Sequence, residues 1–376
     1  MLISIKKISV VIELLLVLFT LHNTLVGLYF YLHVRKEKKT KRNHNFQGFS
    51  LIIPFRNESK RIKDLLDSLN ILEGWQEAEV IFVDDHSEDD TSSIIKECTG
   101  KFNFRCIIVK NKEQGKKQAV LTGIVSAKNE KILLTDADCL ISKEWIQKML
   151  IALDTNDLVL GLYSAKDYLR NDLLFILQKV EFTVFSLLTY VSAKLKAPFL
   201  ASGASMGVRK NFYLQSTKYL RPDIASGDDM FLLNYALEKS NNKIKVNAVW
   251  AFVKTDIALT WQQYFSQKLR WMGKMKHLGT IIKMRSWFWG INFLAFYLMV
   301  VKILIFNLSN IVIGLLISLI KVTIDVLFIS LAGKISKIKI NWIEAAFFYI
   351  CYPWVILWVN IMPIKGKPEW KNRKIK

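Results

Sequence analysis

Cysteine is scarce in this chain. Cys98, Cys106, Cys139 and Cys351 are the only four in 376 residues, and none stands at the spacing of a metal-binding pair. A few scattered thiols fit a reducing compartment rather than a disulfide framework. Acidic residues are also in deficit: 32 Asp and Glu face 53 Lys and Arg, for a formal charge of +21. No nucleic-acid-binding motif accompanies that charge, so the basic balance is not read as contact with DNA or RNA. No small-residue cleavage site follows the first apolar stretch, which speaks against a cleaved signal peptide.

What the chain does contain is segregated. Hydrophobic residues make up 52% and charged residues 23%, with long apolar stretches at both ends and a mixed middle. Ile8 to Leu32 is an apolar run broken by Glu13, His22 and Asn23; it is long enough to cross a bilayer. Six basic residues follow within Arg35 to Arg42, and six more lie in Lys365 to Lys376. Basic clusters beside apolar spans read as membrane-face anchors drawn to anionic lipid. The bias puts the N-terminus outside and residue 33 onward in the cytoplasm. After Trp287, Gly290 to Phe306, Ile311 to Leu331 and Trp342 to Ile361 are three further candidate spans. Three spans after a cytoplasmic domain leave the basic tail outside, whereas its charge places it inside. A re-entrant or interfacial segment around Pro353 would reconcile the two. The expected division is an N-terminal span over 1–34, a basic linker over 35–48, a cytoplasmic domain over 49–285 and a C-terminal membrane region over 286–376.

The middle alternates strand and helix. Ser50 to Pro54, Glu79 to Val83, Arg105 to Val109 and Lys131 to Thr135 are short apolar runs suited to strands. Ile62, Leu65, Leu66 and Leu69 recur on one helical face, and further helices are expected up to Cys98, over Gly115 to Ala127 and over Trp145 to Leu153. Leu158 to Tyr163 reads as extended. Such alternation predicts an α/β domain with a mostly parallel sheet and helices on both faces. Leu173 to Ala193 is apolar but carries Gln178, Lys179, Glu181 and Thr183, so an amphipathic helix against the domain or the membrane surface is expected. Ala201 to Lys210 reads as a small-residue loop, Gly227 to Glu238 as a helix headed by paired aspartates, and Trp261 to Lys276 as a second amphipathic helix.

Polar residues collect where strands run out. Asp136 and Asp138 follow the run Ile132 to Leu134; in extended backbone, residues i and i+2 face one side. At the carboxyl end of a buried strand that side is the ligand crevice of an open α/β sheet. Alone, an Asp-x-Asp there is a solvated turn; in company, two hard oxygen donors suit Mg²⁺ or Mn²⁺ shared with a diphosphate. Lys116 follows a glycine at a helix start, where a cation and backbone N–H groups favour phosphate; its neighbour Lys117 is expected to be solvated. Asp84 and Asp85 end the second strand and could simply cap the next helix, and Arg56 with Glu58 could be a surface ion pair. Gln267 and Arg270 share a helical face, Arg270 offering planar donors beside the flat face of Trp271.

Five pieces occur in order: I-I-P-F-R-N-E (52–58), V-D-D-H-S (83–87), T-D-A-D-C (135–139), G-D-D-M-F-L (227–232) and Q-K-L-R-W (267–271). With Q-G-K-K-Q-A (114–119) and S-G-A-S-M-G-V-R (202–209), they resemble the membrane-bound family 2 glycosyltransferases of GT-A fold, a group that includes polysaccharide synthases and lipid glycosyltransferases. The resemblance implies a nucleotide-sugar donor and a polysaccharide or lipid acceptor. It assigns Pro54, Arg56, Glu58, Asp84, Asp85, Lys116, Asp136 and Arg270 to the donor side. Asp136 and Asp138 would hold a divalent metal, and Asp229 would be the catalytic base. Ser202, Gly203, Asp228, Gln267 and Trp271 fall on the acceptor side. A nucleotidyltransferase of similar fold, or a non-enzymatic membrane scaffold or transporter, are the competing readings.

Overall fold

The structure is a computed structural model. It describes residues 2–39, 48–305 apart from 73–74, 76, 169, 222–223, 225–226 and 239–243, then 311–361, 369–370 and 373–374. By internal packing the chain divides into two compact units, one of residues 42–282 and 359–376, the other of residues 1–41 and 283–358.

The first unit is built on one seven-stranded sheet. Its strands are β1 (Phe49–Phe55), β2 (Ala78–Asp84), β3 (Arg105–Lys110), β4 (Lys131–Leu134), β5 (Leu158–Ala165), β6 (Met206–Arg209) and β7 (Val246–Thr255). The order across the sheet is β3-β2-β1-β4-β6-β5-β7. The chain moves outward from β1 through β2 to β3, then returns to add β4 on the other side of β1. That reversal leaves a crevice at the carboxyl ends of β1 and β4, the place where open parallel sheets take ligands. All pairings are parallel except those of β6, which runs antiparallel to both β4 and β5.

Apolar runs make the strands because both sheet faces are covered. Phe49, Leu51, Ile52, Ile53 and Val80 to Val83 are all buried, as expected for central parallel strands. Helices α2 (Ile62–Ser68), α3 (Thr91–Thr99), α4 (Lys116–Ser126) and α5 (Lys143–Leu153) connect them. The start of α5 is fixed by Ser142, whose hydroxyl accepts from the Trp145 N–H. Trp145 is fully buried, and its indole N–H reaches the Ser205 hydroxyl at 2.8 Å.

Helix α6 (Leu173–Lys194) packs against β5 and β7 with Gln178, Glu181, Thr183 and Ser186 buried. The Ser186 hydroxyl bonds both the Tyr163 N–H and carbonyl. It is therefore a helix held against the domain, despite having the length and apolarity to cross a membrane.

Two sequence expectations are corrected. Ala201 to Lys210 is not all loop: residues 206–209 form β6, followed by helix α7 (Lys210–Ser216). A strand of only four residues owes its state to the neighbours it joins. Gly207 makes the fit possible, since a Cβ there would meet Leu153 and Met149 of α5 at 3.2 Å. The strand β7 was not foreseen at all; it is parallel to β5 and ends beside the acidic segment after β4, where Leu140 and Lys254 exchange hydrogen bonds. Helices α8 (Asp228–Glu238) and α9 (Trp261–Met275) complete this unit's core.

The second unit contains α1 (Leu2–Lys39) and most of α10 (Thr280–Ile305), α11 (Ile311–Ser336) and α12 (Trp342–Ile361). Stretches at Val10–Arg35, Gly314–Ser336 and Trp342–Val359 are long and apolar enough to cross a membrane. Leu14, Leu18, Leu21, Leu25 and Leu28 on α1 are exposed, while polar groups turn inward. Asn23 donates to Asp325 (2.6 Å) and accepts from Asn292 (2.8 Å), and Lys321 pairs with Asp325 at 2.6 Å. Apolar outside and polar inside is the arrangement hydrocarbon demands. Phe306 of the expected span Gly290 to Phe306 lies outside the described residues, as does most of the basic tail, where Glu369–Trp370 and Arg373–Lys374 form a two-residue ladder.

Candidate active site

The crevice between β1 and β4 is lined by the polar ends of four segments. Pro54 closes the apolar part of β1, paired in register with Val83. Beyond it, Arg56 is buried; its guanidinium donates to the carbonyls of Asp85 and His86 and to the Glu88 carboxylate (2.9 Å). Glu58, also buried, pairs with Arg61 at 2.6 Å. Arg56 ties the end of β1 to the segment after β2 through the Asp85 and His86 carbonyls, whereas the Glu58 carboxylate pairs locally, three residues on, and only its N–H reaches across, to the Thr91 hydroxyl at 2.8 Å.

Asp84 and Asp85 do different work. Asp84 accepts from the Ser87 N–H (2.8 Å) and the Ser92 hydroxyl (3.0 Å); it closes the turn after β2 and does not cap α3, whose N-cap position is Asp90. Asp85 is buried and accepts from Asn111 (3.0 Å) and the Gly115 N–H (2.8 Å). Gly115 has φ of +130°, which a residue with a side chain rarely adopts. Asp85 thus fixes the turn from which α4 starts, and Lys116 is the first residue of that helix.

Lys116 reaches Asp136 Oδ1 at 2.5 Å. Burial alone would push its ammonium down, but Asp136, Asp228 and Asp229 together outweigh this and hold it above the usual lysine range. Lys117 is the reverse of its expectation. It is buried, donates to the carbonyls of Leu220 and Arg221 at 2.8 Å each, and lies 4.5 Å from the centre of the Phe231 ring. A helix start has two faces, and the second lysine points into the packed one.

The strand β4 stops at Leu134, before the acids. Thr135 is drawn aside, its hydroxyl donating to the Ala204 carbonyl at 2.9 Å, and residues 137–138 form a turn. Asp136 and Asp138 are therefore carried on a turn rather than on extended backbone. Asp136 meets Lys116, and Asp138 lies 3.7 Å from Arg61. Burial, and next the charge of Asp136, push the Asp138 carboxyl up to about 6, against the pull of Arg61. Arg61 also lies 3.8 Å from Asp256, the residue after β7, which binds Lys166 (3.0 Å) and the Tyr168 hydroxyl (2.7 Å).

A buried carboxyl, Asp138, beside a second one, Asp136, whose charge hinders its ionisation is a donor set that a hard cation would relieve. No group of three or more His, Cys, Asp or Glu that could hold a metal occurs among the described residues. A cation here would take Asp136 and Asp138 as protein ligands and draw the rest from a bound phosphate, the usual habit of Mg²⁺.

The other half of the site is carried by α8. Gly227 has φ of +95°, and Asp228 and Asp229 head the helix, where the N-terminal dipole favours negative charge. Asp228 is buried, and burial followed by the Asp229 charge pushes its carboxyl up. Asp229 accepts from the Gly203 N–H (3.1 Å) and the Met230 N–H (2.7 Å) and lies 3.7 Å from the Lys274 ammonium. Ser202 precedes Gly203 in the loop, its carbonyl accepting from the Ser205 N–H at 3.1 Å.

Gly203 is where the halves meet. A Cβ placed on it would lie 3.7 Å from Asp228 Oδ2, 3.9 Å from Lys116 Nζ and 4.0 Å from Asp229 Cβ. Lys116 in turn touches Asp136. The acidic turn, the helix-start lysine, the small-residue loop and the paired aspartates are thus one cluster.

Helix α9 starts at Thr260, whose hydroxyl accepts from the Gln263 N–H. Trp271 packs on the core of the first unit, 6.1 Å from the Phe185 ring and 4.0 Å from the Lys268 ammonium. Lys268 is buried and pairs with the buried Glu181 at 2.6 Å. Gln267 Oε1 and Arg270 Nε are buried atoms that make no hydrogen bond among the described residues. Burial draws the Arg270 guanidinium below its ordinary range.

Sequence reasoning did not single out Lys274, Arg61 or Asp256. Lys274 had a signal, since it continues the stripe of Gln267 and Arg270 at i+7 and i+4. Arg61 and Asp256 had none, because their meeting depends on β7.

Residues 50–213 match the profile of Glycosyl transferase family 2. Mouse dolichyl-phosphate beta-glucosyltransferase is 43% identical over 100 residues, 24% of this chain and 30% of that protein. Poly-beta-1,6-N-acetyl-D-glucosamine synthase of Staphylococcus epidermidis is 31% identical over 127 residues, 32% of this chain and 30% of that protein. The match therefore spans about a third of the length of these curated relatives. Among solved structures, mannosyltransferase PcManGT from Pyrobaculum calidifontis, in complex with GDP-Man and Mn²⁺, superposes with a TM-score of 0.53 at 15% identity. That likeness covers 90% of this chain and 99% of the other, and it shows a shared GT-A-type fold.

Proposed function

From the premise that residues 50–213 form a family 2 glycosyl transferase domain, we propose that the chain is a membrane-bound, inverting glycosyltransferase. It moves a sugar from a nucleotide-diphosphate donor to a hydroxyl of a lipid or polysaccharide acceptor. The observation that carries this reading is the convergence at Gly203 of Lys116, Asp228 and Asp229, with Asp136 on Lys116. A phosphate-binding side and a proton-accepting side then share one crevice, as single displacement at a sugar carbon requires.

Asp229 takes the proton of the acceptor hydroxyl as its oxygen bonds to the anomeric carbon. The bond from that carbon to the diphosphate breaks, and the nucleoside diphosphate leaves with the electron pair. Asp136 and Asp138 would hold a divalent cation, Mg²⁺ or Mn²⁺, whose contribution is Lewis-acid compensation of the leaving diphosphate charge. Lys116 adds a fixed ammonium on the same side, and Arg270, with a buried N–H uncommitted among the described residues, offers planar donors to phosphate. Trp271 gives a sugar ring a flat face to stack on. Asp85 acts on the donor side by fixing the turn that aims Lys116, Arg56 holds the end of β1 to the segment after β2, and Glu58 holds Arg61.

Placement in the membrane follows from the apolar helices and the basic residues flanking them, with the transferase domain on the cytoplasmic side. The mannosyltransferase whose fold is shared was solved with GDP-Man and Mn²⁺, which supports a nucleotide-sugar and divalent-cation chemistry here. The test is transfer of labelled sugar by membranes carrying the full chain, across a panel of UDP-, GDP- and TDP-sugars with Mn²⁺. Transfer that Asp229→Asn abolishes is expected. Wild-type turnover by that variant would sink the assignment of the base, and activity unaffected by thorough chelation would sink that of the metal.

A further inference from the structure

Lys274 is three residues beyond the Q-K-L-R-W segment, nearly a full turn of α9, and is seated in a slot over the paired aspartates. Its side chain is only 12% exposed, and its ammonium lies 3.7 Å from Asp229 Oδ1, on a carboxylate 14% exposed. The stem of the lysine runs against Gly227: a Cβ on that glycine would stand 2.5 Å from Lys274 Cδ and 3.2 Å from Cγ. The absence of a side chain at 227, already needed for its φ of +95°, therefore also opens the path by which Lys274 reaches the aspartate. Spacing places Lys274 on the α9 face of Gln267 and Arg270, at i+7 and i+4.

We propose that Lys274 is a positioning residue for the base. It rests on the reading of Asp229 as the group that accepts the acceptor proton. An aspartate has two torsions to fix, and two backbone donors and one ammonium, from three separate segments, bear on this one. The Gly203 N–H holds Oδ2 and the Met230 N–H holds Oδ1, while Lys274 brings the sole side-chain cation within ion-pair reach among the described residues. The two amides anchor the carboxylate to its own helix and to the small-residue loop. Lys274 ties it to α9, the helix that carries Arg270 and Trp271. The base and the helix bearing donor-side Arg270 and acceptor-side Trp271 are then registered to each other through a single ion pair.

Two measurements on the full-length protein test this. The first needs no donor: thermal unfolding of the purified chain in detergent for wild type, Lys274→Met, Asp229→Asn and the double variant. A shared interaction makes the losses non-additive, the double variant losing little more than the larger single one; additive losses overturn the pairing. The second is sugar transfer from the UDP-, GDP- and TDP-sugar panel. Lys274→Met is expected to lower kcat by about 10–100-fold, the scale of a misplaced catalytic group, with the donor KM nearly unchanged, and Lys274→Arg to restore most of it. A rise in donor KM at constant kcat, or an equal loss in Lys274→Arg, overturns the positioning role. Should Asp229→Asn transfer sugar at the wild-type rate, the base assignment itself fails; an inactive Asp229→Asn with additive thermal losses fails Lys274 alone.

Discussion

Lys116 Nζ and Asp136 Oδ1 lie 2.5 Å apart, joining the first residue of α4 to the turn after β4. Neither group is exposed, and the lysine is also pulled toward Asp228 and Asp229 on the opposite side of the crevice. It is placed between both acidic pairs. Lys116→Met should therefore weaken donor binding more than it slows a bound donor. A hydrogen bond to a charged group is worth about 1.5–3 kcal/mol, so the donor KM should rise roughly 10- to 100-fold. Initial rates over a range of nucleotide-sugar concentrations check this, and a kcat loss at unchanged KM would contradict it.

The acidic turn should bind cations in a pH-dependent manner. Burial, then the Asp136 charge, hold the Asp138 carboxyl up at about 6. A raised acid binds its proton more tightly folded than unfolded, so in metal-free protein this group costs stability as pH rises through the interval up to about 6. A divalent cation offsets that cost only where the carboxyl is ionised. The rise in melting temperature given by Mn²⁺ should be full well above about pH 6 and fade as pH falls through it. Thermal unfolding with and without MnCl₂ at several pH values measures it. Asp138→Asn should abolish the rise at every pH, and an equal rise on both sides of the interval would refute the assignment.

Lys117 holds the segment leading to α8. Its ammonium satisfies the carbonyls of Leu220 and Arg221 and covers the Phe231 ring. Lys117→Met keeps much of the buried volume but removes both hydrogen bonds, at a cost of about 2–4 kcal/mol. Reduced melting temperature and faster proteolysis after Tyr219 or Leu220 are the expected results. Wild-type stability would mean that this lysine is as solvated as its sequence context suggested.

How far the sequence speaks is clear from particular residues. The runs that became β1, β2 and β4 were legible because strands buried on both faces must be apolar along their whole length, while β3, half-buried at the sheet edge, was legible from its short run Cys106 to Val109. The ordered polar motifs were legible because they sit where those runs end. Lys117 was misread because two adjacent lysines at a helix start look alike until the packing on each side is known. The strand β6 was read as loop because Met206-Gly-Val-Arg has no local reason to extend; pairing with β4 and β5 supplies it. With β7 unrecognised, Asp256 could not be brought to Arg61 and Asp138. Local pattern was sufficient for the parallel half of the sheet, and long-range pairing decided the rest.

Trp271 packs beside a buried ion pair that joins its own helix, α9, to α6. Glu181 of α6 and Lys268 of α9 meet at 2.6 Å with both side chains buried, and the Lys268 ammonium lies 4.0 Å from the Trp271 ring and 4.6 Å from the Tyr264 ring. Removing one partner of a buried pair costs about 3–5 kcal/mol, whereas replacing both by apolar groups of similar size is often neutral. Lys268→Met and Glu181→Gln should each destabilise strongly, and Lys268→Met with Glu181→Leu should recover much of the loss. The recovered double variant separates stability from function, because it lacks the cation that lies over the indole. If that cation orients Trp271 toward a sugar, the double variant will be folded yet poor in transfer, and its tryptophan fluorescence will respond less to nucleotide sugar than that of the wild type. A folded double variant with full activity would show that the pair serves packing alone.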